Sequence, residues 1–220
     1  MKIHRCLAAS AAALAVLASV ATNASAQNWT GLYLGASAGY ASAKSNWSPT
    51  GFTSFDTTGK GGIGGIQGGY NLQSGSILAG LEADYMFSNL KGDTACPGGG
   101  FTCSMNVKGL GSVRGRLGWV AMPSAMVYFT AGLGWAPQSW DVKNTATGSL
   151  VGGGTYASTT TGLAFGAGAE FMLTRNWTLK GEYLRYDFSR SSAGAASFSG
   201  TPIDFKTTAD TFKLGVNYKF

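Results

Sequence analysis

The 220-residue chain is mildly basic, with 16 Lys plus Arg, 10 Asp plus Glu and a formal net charge of +6. Charged residues make up only 12% of the chain and form no basic run, so the sequence gives no support to nucleic-acid binding. Its 34 glycines follow no Gly-X-Y period, which excludes a collagen-like fibre. Because the glycines are interleaved with aromatic and aliphatic residues, they favour β-strands over a low-complexity segment.

The first 26 residues are predicted to be a cleaved signal peptide. A short basic start is followed by an Ala/Leu/Val-rich run over residues 7–20 and by an A-x-A site at Ala24 to Ala26. A transmembrane anchor is the alternative, but the run is too short to span a bilayer and has small-residue flanks. The predicted mature chain is therefore a single domain, residues 27–220, that is exported from the cytoplasm.

Removal of this signal also removes the only histidine, His4, and one of the three cysteines, Cys6. The remainder has no histidine for a metal site, for a Ser-His-Asp triad or for a Cys-His nucleophile. We therefore expect no catalytic, metal-binding or cofactor-binding residues, and no enzyme activity. Cys96 and Cys103 lie close together in a Gly/Pro-rich stretch, which in an exported protein predicts one local disulfide.

Eight segments of the predicted mature chain alternate apolar and polar residues with a period of two, as strands with two different faces do. They span residues 30–40, 62–73, 76–87, 107–120, 125–135, 159–172, 177–188 and 212–220. The alternation of the seventh segment fails near Leu184 and Arg185, where we expect a bulge or a position above the bilayer. In the fourth segment, Lys108 shares the polar face with Ser112, Arg114 and Arg116.

The connections between these segments alternate between short and long. Residues 74–75, 121–124 and 173–176 form tight turns, whereas residues 41–61, 88–106, 136–158 and 189–207 form long stretches rich in Gly, Ser and Thr. This pattern predicts an all-β fold, an eight-stranded antiparallel transmembrane β-barrel with four long extracellular loops and short periplasmic turns. A soluble β-sandwich is the alternative that alternation and turn spacing alone would permit.

Aromatic residues cluster near both ends of the predicted strands, as expected of rings that lie at two membrane interfaces. The predicted periplasmic belt contains Trp29, Tyr70, Trp119, Phe171, Trp177, Tyr218 and Phe220, and the outer belt contains Tyr40, Tyr85, Phe87, Trp135, Tyr183 and Phe212.

The last strand ends on an aromatic residue, and its apolar face runs to the final position through Phe212, Leu214, Val216, Tyr218 and Phe220. This ending resembles the signal by which the barrel assembly machinery recognises bacterial outer-membrane β-barrels. We therefore predict that these five residues direct assembly.

Several short motifs extend this resemblance over the predicted mature chain. They are Trp29-Thr30-Gly31-Leu32-Tyr33-Leu34-Gly35, Gly68-Gly69-Tyr70-Asn71, Gly115-Arg116-Leu117-Gly118, Glu182-Tyr183 and Tyr218-Lys219-Phe220. Together they resemble the porin-like outer-membrane immunogenic protein family of Gram-negative bacteria, whose eight-stranded barrels are similar to the OmpA transmembrane domain. The resemblance implies a protein embedded in outer-membrane lipid. The family includes proteins described as porins, surface antigens, adhesins and haem binders. It implies no catalytic residues, and it allows host or surface ligands to bind the loops.

Charged residues on the predicted inward faces form the only chemical constellation in the chain. They are Glu82, Asp84, Arg114, Arg116, Glu170, Lys180, Glu182 and Lys213. An eight-stranded barrel has an interior about wide enough for side chains to fill, so these residues predict a network of ion pairs that closes the lumen. A surface-exposed structural protein, antigen or adhesin follows from that interpretation. A narrow porin that passes small solutes or ions through rearranging pairs is the alternative.

Overall fold

The computed structural model of the chain describes residues 28–97, 99–194 and 202–220, except for the side chains of residues 152–154. The predicted signal peptide lies outside the described residues. Within these ranges, no helix is long and apolar enough to cross a membrane. The strands are β1 (Gly31–Pro49), β2 (Phe55–Ser74), β3 (Ile77–Ala95), β4 (Phe101–Met122), β5 (Ala125–Asn144), β6 (Leu150–Met172), β7 (Trp177–Phe188), β8 (Ser191–Ala193) and β9 (Ile203–Lys219).

Eight of these strands close into an antiparallel barrel. Each strand from β1 to β6 pairs with the next one along the chain, β7 pairs with β9, and β9 pairs back with β1. The short β8 adds to the edge of β9 above the point where β7 ends. The predicted fold class is therefore confirmed. Where all eight strands have a partner on both sides, the closed ring leaves no free strand edge.

The predicted long connections are largely strand. Only residues 50–54 separate β1 from β2, only residues 96–100 separate β3 from β4, and only residues 145–149 separate β5 from β6. The predicted loop bounds 41–61, 88–106 and 136–158 are therefore wrong, while 189–207 contains β8 and the start of β9. Strands of 19 to 23 residues are about twice the length that a bilayer requires. The barrel thus continues beyond the membrane at this end, here named the extended end, opposite the short-turn end.

The two faces of the sheet exchange their polarity along the barrel axis. Towards the short-turn end the outer face is apolar and exposed, with at least 53% of the surface accessible in each of Leu34, Ile66, Leu81, Leu117, Phe129 and Leu163. Towards the extended end the apolar residues point inwards, among them Ala43, Trp47, Leu90, Met105, Trp140, Phe188 and Phe205. This arrangement follows from the surroundings, because lipid covers the first zone and water covers the second.

Strand β7 shows this exchange most directly. Its pairing with β6 runs from Thr178 to Phe188 without a register shift, so the bulge considered near Leu184 and Arg185 does not exist. Leu184 is fully buried, whereas the side chain of Arg185 is 43% exposed and pairs with Asp210. The alternation continues, and only the kind of residue on each face changes.

Strand β4 contains a true irregularity. Its register with β5 shifts between Val107 and Gly111, and the inward phase changes there from odd to even positions. Val107 and Ser112 are both buried, whereas Lys108 is exposed. The prediction that Lys108 shares the inner face with Ser112 is therefore wrong, because an extra residue in a β-bulge re-aims the side chains beyond it.

Glycines make room for large inward side chains in this narrow barrel. A Cβ atom at Gly69 would lie 2.4 Å from the hydroxyl of Tyr33, and one at Gly168 would lie 2.4 Å from the hydroxyl of Tyr128. Tyr128 joins an apolar cluster at the short-turn end with Trp29, Leu78, Met126 and Met172. Trp29 is only 1% exposed, so its placement in the periplasmic belt is wrong, while Tyr70, Trp119, Trp177, Tyr218 and Phe220 do lie on the outer surface.

Candidate functional site

The structure brings together all eight charged residues named from the sequence. They project inwards from β3, β4, β6, β7 and β9, and each is at most 5% exposed. Their cross-strand register pairs opposite charges directly, with Glu82 opposite Arg114, Glu170 opposite Lys180 and Glu182 opposite Lys213. The set of four acids and four bases, here named the lumen network, comprises Glu82, Asp84, Arg114, Arg116, Glu170, Lys180, Glu182 and Lys213.

Arg114 is the centre of the lumen network. Its Nη2 atom lies 2.7 Å from Oε1 of Glu82 and 3.1 Å from Oδ2 of Asp84, while its Nη1 atom lies 3.1 Å from Oε2 of Glu182. One planar guanidinium thus bridges three carboxylates, which its forked donors suit better than an ammonium would. Ser112 accepts a hydrogen bond from Nε of Arg114 at 2.8 Å and donates one to Asp84.

Two lysines complete the pairing of the same carboxylates from the other side of the lumen. The Nζ atom of Lys180 lies 2.8 Å from Glu82 and 3.7 Å from Glu182. The Nζ atom of Lys213 lies 3.1 Å from Glu182 and also contacts Asp84. Since β7 and β9 carry these lysines and β3 carries both Glu82 and Asp84, the contacts cross the barrel interior.

Arg116 links the lumen network to Glu170 and to two tyrosines. Its Nη2 atom lies 2.8 Å from Glu170, and its Nη1 atom donates to the hydroxyl of Tyr33 at 2.6 Å. The guanidinium also lies 4.0 Å from the ring centroid of Tyr128, as in a cation–π contact. Glu170 additionally accepts hydrogen bonds from Thr178 at 2.5 Å and from Asn217 at 2.8 Å.

The sequence interpretation left neutral members out of this site. The hydroxyl of Tyr33 donates to Glu82 at 2.7 Å, and that of Tyr128 donates to Glu182 at 2.9 Å. Gln67 donates to Asn217 at 2.6 Å and accepts from Ser37 at 2.8 Å, which extends the polar interior to β1 and β2. All of these residues lie on the inward-facing side of their strands. The same period of two that assigned the charged residues to the inner face could therefore have identified them.

Three carboxylates of the lumen network stand close enough to consider a metal ion. Ligand oxygens of Glu82, Asp84 and Glu182 lie within 4.8 Å of one another. Their counter-charges come from the chain itself, because Arg114 bonds all three of them. Buried charges require such partners and hydrogen bonds, and the arrangement meets that requirement with balanced charge.

Apolar layers lie on both sides of the lumen network. The cluster around Trp29 and Met126 closes the short-turn end, and the longer apolar core fills the extended end. In that core the ring of Phe205 stacks on Trp140 at 4.6 Å and meets Trp47 edge-on at 4.8 Å. The barrel interior is thus filled in three successive layers.

An apolar recess of about 230 Å³ lies above the core, at the rim of the extended end. Phe52, Phe55 and Phe101 line it, together with the Cys96–Cys103 pair. These two cysteines form the predicted disulfide, with their Cα atoms 5.4 Å apart.

The sequence matches the outer membrane protein beta-barrel domain over residues 10–220. The chain belongs to this outer-membrane β-barrel family. A 31 kDa outer-membrane immunogenic protein of Brucella melitensis is 33% identical over 208 residues, which cover 88% of this chain and 84% of that protein. A 22 kDa outer membrane protein of Rhizobium leguminosarum is 34% identical over 198 residues, which cover 89% and 80% of the respective chains.

Solved structures of other outer-membrane barrels share the fold of this family member. The outer membrane protein OprG from Pseudomonas aeruginosa aligns with a TM-score of 0.59 at 14% identity, over 88% of this chain and 98% of that chain. The outer membrane protease OmpT from Escherichia coli aligns with a TM-score of 0.51 at 11% identity, over 92% of this chain and all of that one. At such identities the likeness concerns the fold alone.

Membership of this family places the protein in the cell outer membrane, in contact with lipid. In such barrels the short turns face the periplasm, so the extended end lies outside the cell. The predicted assembly signal lies on the outer face of β9 and of the residue that follows it, with exposures of 37% to 64% for Phe212, Leu214, Val216, Tyr218 and Phe220. Recognition of these residues during assembly stays a prediction.

Proposed function

We propose that this outer-membrane barrel is a closed anchor that presents its extracellular extension to the surroundings, as a surface antigen or adhesin does. The lumen network carries the proposal. Its four acids and four bases are buried and paired with one another. An ion that entered would have to replace several charge-assisted hydrogen bonds at once, in an interior with little water to compensate.

The layers above and below the lumen network support the same function. A path through the barrel would also have to pass the Trp29 cluster at one end and the stacked Trp140 and Phe205 at the other. Tightly packed side chains of this kind leave few voids larger than a water molecule. The narrow porin, the alternative function, requires rearrangement of all three layers.

The proposal includes no catalytic role. The predicted mature chain has no histidine, and every carboxylate of the lumen network serves a structural partner. The protease among the structural neighbours shares only the fold, at 11% identity. Binding suits this scaffold better than catalysis does, because rigid strands position the extracellular tips for contact.

The extracellular rim supplies a surface for such binding. Phe52, Phe101 and Leu150 are 61%, 38% and 49% exposed at the tips beside or near the apolar recess. Exposed apolar groups around a recess mark ligand or partner sites. We therefore propose that a host or surface ligand with an apolar group docks at this rim, and that assembly depends on the barrel assembly machinery.

Planar bilayer recording tests the closed anchor. The refolded mature chain should show only rare, small conductance steps over a range of voltages, because the lumen network stays paired. Large and stable open channels in the unmodified protein would contradict the proposal and would select the narrow porin. A refolded general porin in the same bilayer serves as the positive control for insertion and detection.

A further inference from the structure

Three exposed lysines stand side by side on the outer wall of the barrel. Lys60 on β2 lies directly opposite Lys91 on β3, and Lys91 in turn lies opposite Asn106 on β4, two positions from Lys108. All three side chains are exposed. Like charges directly opposite each other on adjacent strands are unfavourable, so this patch of Lys60, Lys91 and Lys108, here named the lysine wall, stands out in the fold.

The other cations at this height are paired. Arg185 binds Asp210 at 3.1 Å and Lys206 binds Asp187 at 2.5 Å on the β7–β9 side, while Lys44 binds Asp56 at 2.8 Å. In the described ranges, no carboxylate lies within ion-pair distance of any lysine of the wall. The nearest acid along β3 is Asp93, two residues beyond Lys91 and farther from the membrane. The β2–β4 side therefore carries an excess of positive charge, with three lysines that have no ion-pair partner among the described residues.

The height of the lysine wall coincides with the outer membrane interface. Phe87, an exposed aromatic of the outer belt, pairs across the strands with Gly109, the neighbour of Lys108. On the other side of β2, the belt residue Tyr40 pairs with Gly62. Gly62 lies two residues from Lys60 along β2, on the side towards the membrane. Two residues of strand span about 6.6 Å, so the backbone positions of Lys60 and Lys108 lie just above the aromatic belt that marks the interface, and Lys91 lies between their strands.

The bulge in β4 contributes to this arrangement. Without the register shift between Val107 and Gly111, Lys108 would share the inner face with Ser112. The shift turns Lys108 to the outside, beside the Tyr85–Phe87 aromatic pair whose rings are 5.1 Å apart. Bulges that re-aim a side chain are often functional features.

We propose that the lysine wall is a binding site for the phosphate groups of a phosphorylated glycolipid in the outer leaflet. The acyl chains would cover the apolar outer face below, and the ammonium groups of Lys60, Lys91 and Lys108 would bind phosphate oxygens at the interface. Lipid-borne phosphate suits the site because these lysines lie on the side wall at headgroup height, away from the loop tips. The inference rests on the membrane location and is independent of whether the lumen conducts.

Native mass spectrometry of the refolded mature chain in detergent tests the site, with diphosphorylated lipid A as the probe. The triple variant Lys60→Gln, Lys91→Gln, Lys108→Gln should bind lipid A at least about tenfold more weakly, because each interfacial lysine contributes about fivefold near an anionic surface. The control triple variant Lys44→Gln, Arg185→Gln, Lys206→Gln removes the same charge from paired positions. It should bind within about twofold of the unmodified chain, even though it leaves three carboxylates unpaired.

Each other result has a defined meaning. Equal loss in both triple variants would show a net-charge effect and would overturn the site. Equal binding of dephosphorylated lipid A would overturn the role of phosphate. Displacement of lipid A by low-millimolar inorganic phosphate would assign the wall to the free ion and would overturn the lipid proposal. All six positions are exposed or half-exposed, and unchanged heat-modifiable migration on gels would verify folding.

Discussion

Arg114 and Glu82 are direct cross-strand partners, and their side chains meet at 2.7 Å with no exposed surface on either one. The strand register therefore builds the central ion pair of the lumen network. Because the same guanidinium also bonds Asp84 and Glu182, its removal would leave three carboxylates with fewer partners. The network is thus more sensitive to this arginine than to any single acid.

Substitution Arg114→Ala should destabilise the barrel by about 3–5 kcal/mol, the usual cost of leaving buried charges unpaired, less whatever water entering the lumen recovers. We expect flickering conductance in planar bilayers from the same variant, since water can then enter beside Glu82. Urea unfolding in micelles provides the free energy. Arg175→Ala, in the exposed turn before β7, is the matched control and should unfold within about 0.5 kcal/mol of the unmodified chain. Unchanged stability of Arg114→Ala would contradict a central role for the pair.

The sequence predicted which charged residues face the lumen but not how they pair. The period of two assigned Glu82, Arg114 and Lys213 to inner faces. That Arg114 reaches Glu182 across the barrel depends on closure of the ring and on the shear of its strands, which no local pattern encodes. Lys108 was misplaced because the bulge before Gly111 adds one residue, and a one-residue slip reverses the faces of a strand.

Neighbouring residues of β7 should respond in opposite ways to truncation. Leu184 is fully buried in the apolar core and Arg185 is on the outer wall. Leu184→Ala should therefore cost about 2–5 kcal/mol of stability through a core cavity, whereas Arg185→Ala should cost about 1 kcal/mol or less because it loses only an exposed ion pair. Chemical unfolding of the two variants in the same detergent would give the two losses of unfolding free energy for comparison. A larger loss for Arg185→Ala would contradict the exchange of face polarity.

The same exchange explains why the strand ends escaped sequence analysis. In the membrane zone, apolar residues face outwards on a simple period of two, and the eight segments there were identified. Beyond the membrane the inner face becomes apolar and the outer face gains Ser, Lys and Asn, as in residues 41–49 of β1. A stretch rich in Gly, Ser and Thr then resembles a loop, although the cross-strand pairing continues from Ala41 to Trp47.

Loss of the disulfide should alter the rim and leave the barrel nearly unchanged. Cys96 and Cys103 close a ring across residues that the strands already hold, since Thr94 pairs with Cys103 and the amide of Cys96 donates to Phe101 at 3.0 Å. The double Cys→Ser variant should therefore lose less than the roughly 3 kcal/mol typical of a 15-residue ring. Thiol counting by mass spectrometry verifies the bond in the exported protein. Two free thiols there, or a large drop in unfolding free energy of the variant, would refute this role.

The exposed ion pair between Lys44 and Asp56 at the rim should be lost in acid, when the carboxyl of Asp56 takes up a proton. Hydrogen bonds from Lys44 and Asn46 lower the pKa of Asp56 below its ordinary value. Because the folded-state pKa is lowered, the stabilisation is present at neutral pH and is lost as the pH falls through the lowered pKa. In Lys44→Gln the pKa of Asp56 should move upwards towards that of a free aspartate, as measured by carboxyl NMR titration. An unmoved pKa would assign the shift to other neighbours.

Deletion of Phe220 should separate assembly from stability. The ring of Phe220 is 64% exposed on the outer face, and its amide donates to Leu32 at 3.0 Å, so little of the interior depends on it. The refolded deletion variant should therefore unfold within about 1 kcal/mol of the unmodified chain. In cells we expect its outer-membrane yield to fall severalfold, because the assembly machinery would lose the terminal aromatic of β9. Phe87→Ser, at a similarly exposed aromatic of the outer belt on β3 that lies outside the predicted assembly signal, is the matched control and should assemble more efficiently. Normal yield of the Phe220 deletion in fractionated cells would refute the assembly signal, while a large loss of stability in micelles would make the terminal residue structural instead.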